Sequence, residues 1–173
     1  EILRDRNRQL EKTELIGLCR KDMELLSSYY QKEITAMHIV VRTSLPDNPL
    51  FIDGNAEQLG KTIMSLLNNG MYAIAKKYGK KAYPAEIGLA LESKDGQAVI
   101  RLYDNGVGIE QSILDKIFDP FFTTKTTGEA AGIGLYLSKE IILNHHGQIA
   151  VRSEKDELTE FTITLPLWEE KSV

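Results

Sequence analysis

Apolar residues along this chain follow two different periods, and the points where the period changes divide it into elements. Between Thr13 and Ile34 the positions Leu15, Leu18, Cys19, Met23, Leu25, Leu26 and Tyr30 form one broad stripe at helical spacing, interrupted only by Gly17. A helix that packs on a sheet is expected there. Met37 to Thr43 is rich in β-branched residues and reads as a strand, ended by Pro46-Asp47-Asn48-Pro49. Asn55, with Gln58 three residues later, gives a capping signal for a central helix running to about Tyr78, and Leu59, Ile63, Leu66, Leu67 and Ile74 supply its core face. Two strands, Glu86 to Glu92 and Ala98 to Tyr103, flank the turn Lys94-Asp95-Gly96-Gln97 and read as a hairpin. A short helix from Gln111 to Ile117 follows. Thr123 to Ala131 is small and polar without periodicity, and is expected to be mobile. Gly132 to His145 returns to helical spacing, and strands near Gln148 to Ser153 and Glu160 to Leu165 close the chain.

That order of strand, helix, hairpin, helix and hairpin predicts an α+β two-layer sandwich, with helices on one face of a mixed sheet. The dinucleotide-binding α/β fold fits poorly, because neighbouring strands are joined by tight turns and no GxGxxG follows the first strand. Residues 1–12 are strongly charged, with Leu3 and Leu10 one heptad apart, and are read as a helical stub or linker from a preceding dimerisation domain. Residues 13–173 are read as the domain proper. Since the chain opens on Glu1 inside what reads as a helix, a longer parent protein is expected.

Composition narrows the function classes. At 173 residues, 42% hydrophobic and 27% charged, the chain has the makeup of one soluble domain with a full core. With 21 basic against 25 acidic residues the formal charge is −4, so no global field recruits nucleic acid or an anionic membrane, and any anion must be bound locally. The single Cys19 cannot form an internal disulfide and suits a reducing compartment. No apolar run is long enough to cross a bilayer and no signal sequence opens the chain. A cytoplasmic location is expected, including as the cytoplasmic part of a membrane-bound sensor.

The chemistry concentrates in three blocks: Asp104-Asn105-Gly106-Val107-Gly108-Ile109, Phe118-Asp119-Pro120-Phe121-Phe122, and Gly132-Ile133-Gly134-Leu135. A carboxylate ending an apolar strand can accept a hydrogen bond from an adenine amino group, and adjacent glycines let backbone and base approach closely. Glycines opening a helix leave free backbone N–H groups for phosphate oxygens. A lone Asp-Asn-Gly is an ordinary tight turn. The three blocks in this order, downstream of an asparagine-bearing helix, point instead to a nucleotide site.

Taken together, these residues make the chain resemble the catalytic ATP-binding domain of sensor histidine kinases, in the GHKL superfamily that also holds gyrase-type, Hsp90-type and MutL-type ATPases. The resemblance covers about residues 14–168 and rests on Leu66-Leu67-Asn68-Asn69-Gly70 (the N box), Asp104 to Ile109 (G1), Phe118 to Lys125 (the F box and its tail) and Gly132 to Leu135 (G2). It implies a Bergerat-type pocket closed by a flexible ATP lid, Phe118 to Ala131. Asn69 would hold Mg²⁺ through its side-chain oxygen, the triphosphate and waters supplying the other ligands. Ser65, Tyr72, Ala73 and Lys76 share its helix face and would line the phosphate side, Lys76 being either a phosphate contact or a solvated helix lysine. Asp104 would accept from the adenine amino group above the turn made by Gly106 and Gly108. Ile109, Ile117 and Leu135 are pocket walls or plain core. Lys125 would meet the terminal phosphates from the lid, and Gly132 and Gly134 would present backbone donors to them. Phe118, Phe121 and Phe122 would anchor the lid by burying their rings. Thr159 aligns with a threonine the superfamily often carries near the base.

The chain departs from the family pattern in places. Tyr72 stands where a charged side chain is usual, and Ala130 and Ala131 replace part of a glycine-threonine-glycine approach to G2, which bears on nucleotide affinity and lid ordering. Ser65 occupies the position of the water-activating glutamate of the hydrolytic members, so efficient ATP hydrolysis in cis is not expected. None of the three histidines fits a phosphoacceptor: His38 falls in a predicted strand, and His145 and His146 sit at a helix end, where a capping or dipole role is expected and a metal site is not. The resemblance therefore implies an ATP·Mg²⁺ domain that donates the γ-phosphate to a histidine on a phosphoacceptor domain of the same or a partner chain. The group would then pass to a response regulator, in a full-length homodimer. This segment itself is expected to contact neither membrane nor nucleic acid. The alternatives are a GHKL serine kinase of the anti-sigma-factor kind and a degenerate, non-catalytic regulatory module.

Overall fold

The computed structural model describes residues 10–120, 122 and 133–170. Along the chain these form β1 (Glu11–Glu14), α1 (Leu15–Tyr29), α2 (Gln31–Ala36), β2 (Val40–Ser44), β3 (Phe51–Gly54), α3 (Ala56–Tyr78), β4 (Glu86–Lys94), β5 (Gln97–Asp104), α4 (Gln111–Leu114), α5 (Ile133–Asn144), β6 (Gln148–Glu154) and β7 (Leu158–Pro166). The main sheet has the order β2-β4-β5-β7-β6, with β2 and β4 parallel and every other pair antiparallel. β1 and β3 pair separately, joined to the end of β7 by an Ile52–Leu167 bridge and by Trp168 N–H donating to the Phe51 carbonyl at 2.7 Å.

Alternation along the strands assigns the sheet faces. In register, Leu89, Leu102, Phe161 and Val151 form one row on the inner face, and Leu91, Ile100, Ile163 and Ile149 form the next. The opposite face carries Arg42, Arg101, Arg152 and Glu160, which pair in water as Arg42 with Glu86 and Arg152 with Glu160. Against the inner face lie α1, α3 and α5, with α3 in the middle contacting both of the others. Leu15, Cys19 and Leu26 of α1, Leu59, Ile63, Leu67 and Ile74 of α3 and Ile142 of α5 close the core, each at 2% exposure or less. This is the expected two-layer α+β sandwich.

Local chemistry explains where elements start and stop. Asn55 caps α3, its Oδ1 accepting from Gln58 N–H at 3.0 Å, as the Asn-x-x-Gln spacing implies. The β4–β5 turn places Asp95 and Gly96 at φ +53° and +77°, the left-handed pair that an Asp-Gly hairpin provides. Gly88 is needed because Tyr103, its cross-strand partner, folds its ring over the space a Cβ would fill, 2.4 Å away.

The first helix and strand differ from expectation. The helix begins at Leu15, not Thr13, because Glu14 caps it: its carboxylate accepts from Ile16 N–H at 2.7 Å and Gly17 N–H at 2.9 Å. Glu11 and Lys12, expected in a helical stub, instead form an exposed edge strand with β3, a four-residue element too short and too polar to show alternation. Residues 1–9 of that stub lie outside the described residues. His38 is not in a strand. It follows α2 at φ +52°, with Ile39 N–H closing on the Ile34 carbonyl at 3.0 Å, the left-handed helix stop usually given to glycine or asparagine. β2 starts two residues later. The short helix predicted to Ile117 ends at Leu114.

Candidate nucleotide site

β5 ends at Asp104, on the inner face and only 7% exposed. Its Oδ1 accepts from Gly106 N–H at 2.9 Å. Burial pushes the carboxyl up to about 7, against the pull of the Gly106 amide and the Lys77 ammonium. α3 passes directly over it: a Cβ at Gly70 would stand 3.2 Å from Asp104 Oδ2 and 2.9 Å from Ile87 Cδ1. The loop that follows is pinned to the same helix. Val107 N–H donates to the Ala73 carbonyl at 3.2 Å, and a Cβ at Gly106 would fall 2.5 Å from the Ala73 backbone. Gly108 lies at φ +71° with Glu154 O 2.3 Å from the Cβ position, so both the angle and the space require glycine.

Three further groups hold this loop. Lys77 Nζ donates to the Asp156 carbonyl at 2.6 Å and the Asn105 carbonyl at 3.3 Å, above the Tyr83 ring. Asn105 accepts from Glu86 N–H at 2.8 Å and donates to the Pro84 carbonyl at 2.8 Å, stapling the loop to the start of β4. Ser153 on β6 accepts from Ile109 N–H at 2.8 Å. Above this floor opens a cleft of about 400 Å³, with Asn69, Tyr72, Ala73 and Lys76 of α3 on one side. Ile109 and Ile117 from the connection around α4, Leu135 of α5, and Thr159 and Phe161 of β7 complete its wall. Apolar side chains make up much of the wall, with Asp104 at the floor and the charged Lys76, Lys80, Glu110, Lys155 and Asp156 around the cleft, a mix of apolar wall and placed polar groups that suits a small-molecule site.

A family model for histidine kinase-, DNA gyrase B- and HSP90-like ATPases matches residues 54–169. The chain belongs to this ATPase family. Sporulation kinase D of Bacillus subtilis is 34% identical over 71% of the chain, and the signal transduction histidine-protein kinase AtoS of Escherichia coli is 39% identical over 70%. The chain spans 22% and 19% of the lengths of those two proteins. Among solved structures, the catalytic domain of histidine kinase ThkA, in a nucleotide-free form, superposes with a TM-score of 0.73 at 22% identity, covering 91% of this chain and 95% of that one. The fold is that of histidine kinase catalytic domains.

Within the family frame, the structure brings Asn69, Ala73, Lys76, Asp104, Gly108, Ile109, Ile117 and Leu135 together around one cleft. Ile117, Ile109 and Leu135 are pocket wall and core at once, with Ile117 2% exposed. Gly106 is beneath the wall, packed on α3. Ser65 shares the helix face with Asn69 but does not reach the cleft wall. Gly134 falls in the first turn of α5. Lys125, Gly132, Phe121, Ala130 and Ala131 lie outside the described residues, as does most of the expected lid. Phe118 packs edge-on to Phe161 with ring centroids 6.3 Å apart, while Phe122 lines the cleft. Sequence reasoning overlooked Lys77, Asn105 and Ser153. Alternation along β6 could have put Ser153 on the inner face with Ile149 and Val151, whereas nothing in the sequence separates Lys77 from a solvated helix lysine.

Proposed function

We propose that this domain binds ATP·Mg²⁺ in the cleft above Asp104 and presents the γ-phosphate to a histidine on another domain. The observation that carries this is the convergence of a buried carboxylate acceptor at the floor with Asn69 and Lys76 on the rim of the same cleft. Asp104 is the acceptor for the adenine amino group, Gly108 frees the backbone beneath the base, and Lys76 faces the phosphates with Lys125 and the amides of Gly132 and Gly134. Asn69 fits a magnesium ion as one hard oxygen donor. No group of three or more His, Cys, Asp or Glu capable of a protein-built cage occurs among the described residues, which suits a cation carried in largely by phosphate and water ligands.

Phosphoryl transfer asks a donor domain mainly for positioning and charge neutralisation. No histidine lines the cleft. His38 and His146 are left-handed helix stops, and His145 is buried, its Nδ1 donating to the Ile141 carbonyl at 2.7 Å and its Nε2 accepting from Asn55 N–H at 3.0 Å. This supports an acceptor histidine on a phosphoacceptor domain of the same or a partner chain, and the kinase relatives support a response regulator downstream. Among the described residues no helix is long and apolar enough to cross a membrane. Relatives named as sporulation and signal-transduction kinases favour this reading over a serine kinase.

Calorimetric titration with a non-hydrolysable ATP analogue tests it. Saturable binding is expected, abolished by Asp104→Asn and deprived of its Mg²⁺ dependence by Asn69→Ala. No binding at millimolar nucleotide would overturn it in favour of a regulatory module. With ATP, the isolated chain should not label itself.

A further inference from the structure

Across the inner face, Ile87, Asp104, Thr159 and Ser153 are successive register partners on β4, β5, β7 and β6. Ser153 is 2% exposed and does not line the cleft, whereas Thr159 does. The Ser153 hydroxyl has three partners at 2.8 Å: Ile109 N–H, the Leu158 carbonyl and the Thr159 hydroxyl. A hydroxyl has one proton to give and two lone pairs to receive. The amide can only donate and the carbonyl can only accept. All three contacts are therefore satisfied in one arrangement, with Ser153 donating to Leu158 and accepting from both Ile109 and Thr159.

The consequence is at Thr159. Its only proton is committed to Ser153, so what it offers the cleft is a lone pair, in register beside a carboxylate whose Oδ1 already holds Gly106 N–H. The floor then presents acceptors side by side. A 6-aminopurine can meet both acceptors with its two amino hydrogens, while a 6-oxopurine brings one N1–H donor for one of them and sets its carbonyl oxygen against the other.

We propose that Ser153 is a specificity-determining positioning residue: by holding the Thr159 hydroxyl as an acceptor, it makes the cleft select a 6-aminopurine nucleotide against a 6-oxopurine nucleotide. This rests on the nucleotide reading above. Removing the Ser153 hydroxyl frees the Thr159 hydroxyl to turn and donate to a 6-oxo group. It also removes the acceptor for Ile109 N–H, a loss that weakens both nucleotides alike and leaves their ratio unchanged.

The experiment is titration of the chain with adenosine diphosphate and inosine diphosphate, which differ only in the six-position substituent and the N1 proton that accompanies it. The chain should prefer adenosine diphosphate by at least about tenfold, the effect of one well-placed hydrogen bond turned repulsive. Ser153→Ala should reduce that ratio toward unity, and Ser153→Thr, which keeps a hydroxyl, should retain it. Thr159→Val, which deletes the acceptor itself, should reduce it as well and serves if Ser153→Ala does not fold. Equal weakening of both nucleotides by Ser153→Ala, or no preference in the starting chain, would overturn the proposal. Failure of both nucleotides to bind the starting chain would overturn the nucleotide reading beneath it.

Discussion

Asp104 sits where its own charge is costly. Because burial raises its carboxyl to about 7, the folded chain holds a proton there that the unfolded chain releases near 3.8. Between those values the native state binds more protons, so this residue's contribution to stability is complete below about pH 4 and is lost as pH rises toward 7. Asp22, buried with an unpartnered Oδ2 and raised to about 6, acts in the same direction. Asp104→Asn should therefore raise the melting temperature of the nucleotide-free chain at pH 8 and leave it nearly unchanged at pH 4, with a ceiling of about 4 kcal/mol at 1.36 kcal/mol per pH unit. The proposed adenine contact needs the opposite protonation state. The Lys77 ammonium favours the charged form of this carboxylate, and the Tyr83 hydroxyl beside it, raised to about 12 chiefly by burial, stays neutral. Nucleotide affinity should fall as pH drops from 8 to 6, and calorimetry across that range checks it. At this scale the sequence was most informative where a residue type itself suggests chemistry, as for Asp104 and Asn69, which line one cleft. It was silent where an ordinary residue acts through geometry: Ser153 and Lys77 matter because of what three loops place around one hydroxyl and one ammonium.

Elements form where local signals agree, and two of them end on residues ill suited to the backbone they adopt. His38 and His146 stand at φ +52° and +60° after α2 and α5, each followed by an amide that closes the last helical turn. A left-handed conformation costs an L-residue roughly 1–2 kcal/mol, and glycine avoids most of this at an entropic cost of roughly 0.5–1 kcal/mol. His38→Gly and His146→Gly should each stabilise the chain by up to about 1 kcal/mol in urea denaturation. Glu14 argues the other way. Burial works against its charge, but the amides of Gly17, Ile16, Leu50 and Leu15 outweigh that and hold its carboxyl below the ordinary value. Its cap is therefore strong above about pH 4.5 and lost as pH falls through the lowered value. Glu14→Ala should cost about 1 kcal/mol at pH 7. The central helix and the β4–β5 hairpin were readable because Asn55 and Asp95-Gly96 carry their own turn and cap chemistry. β1 and β3 were not, since four-residue strands exist only through each other.

In the whole molecule α3 is the beam and α5 is hung from both its ends. At the start of α5 Leu135 forms cleft wall beside the α3 residues, and just past its end the His145 ring reaches the residue that caps α3. That contact fixes the protonation state of the ring. Nδ1 donates to the Ile141 carbonyl, so Nε2 must be the bare nitrogen that accepts from Asn55 N–H. Burial lowers its pKa, and His146 beside it adds to the lowering although the Ile141 carbonyl opposes it. A protonated ring would turn Nε2 from acceptor to donor and leave the Asn55 amide without its partner. The sign is opposite to that of Asp104: stability is complete above about 6.5 and is lost as pH falls from there through the lowered folded value. His145→Gln cannot be protonated in this range, so subtracting its stability curve from that of the starting chain isolates the histidine from the aspartates. The difference should be flat from pH 8 to 7 and should turn against the histidine chain between pH 6.5 and 5. A difference that stays flat to pH 5 would mean that the ring and the Asn55 amide tolerate a proton, and that α5 is held to α3 by its apolar contacts alone.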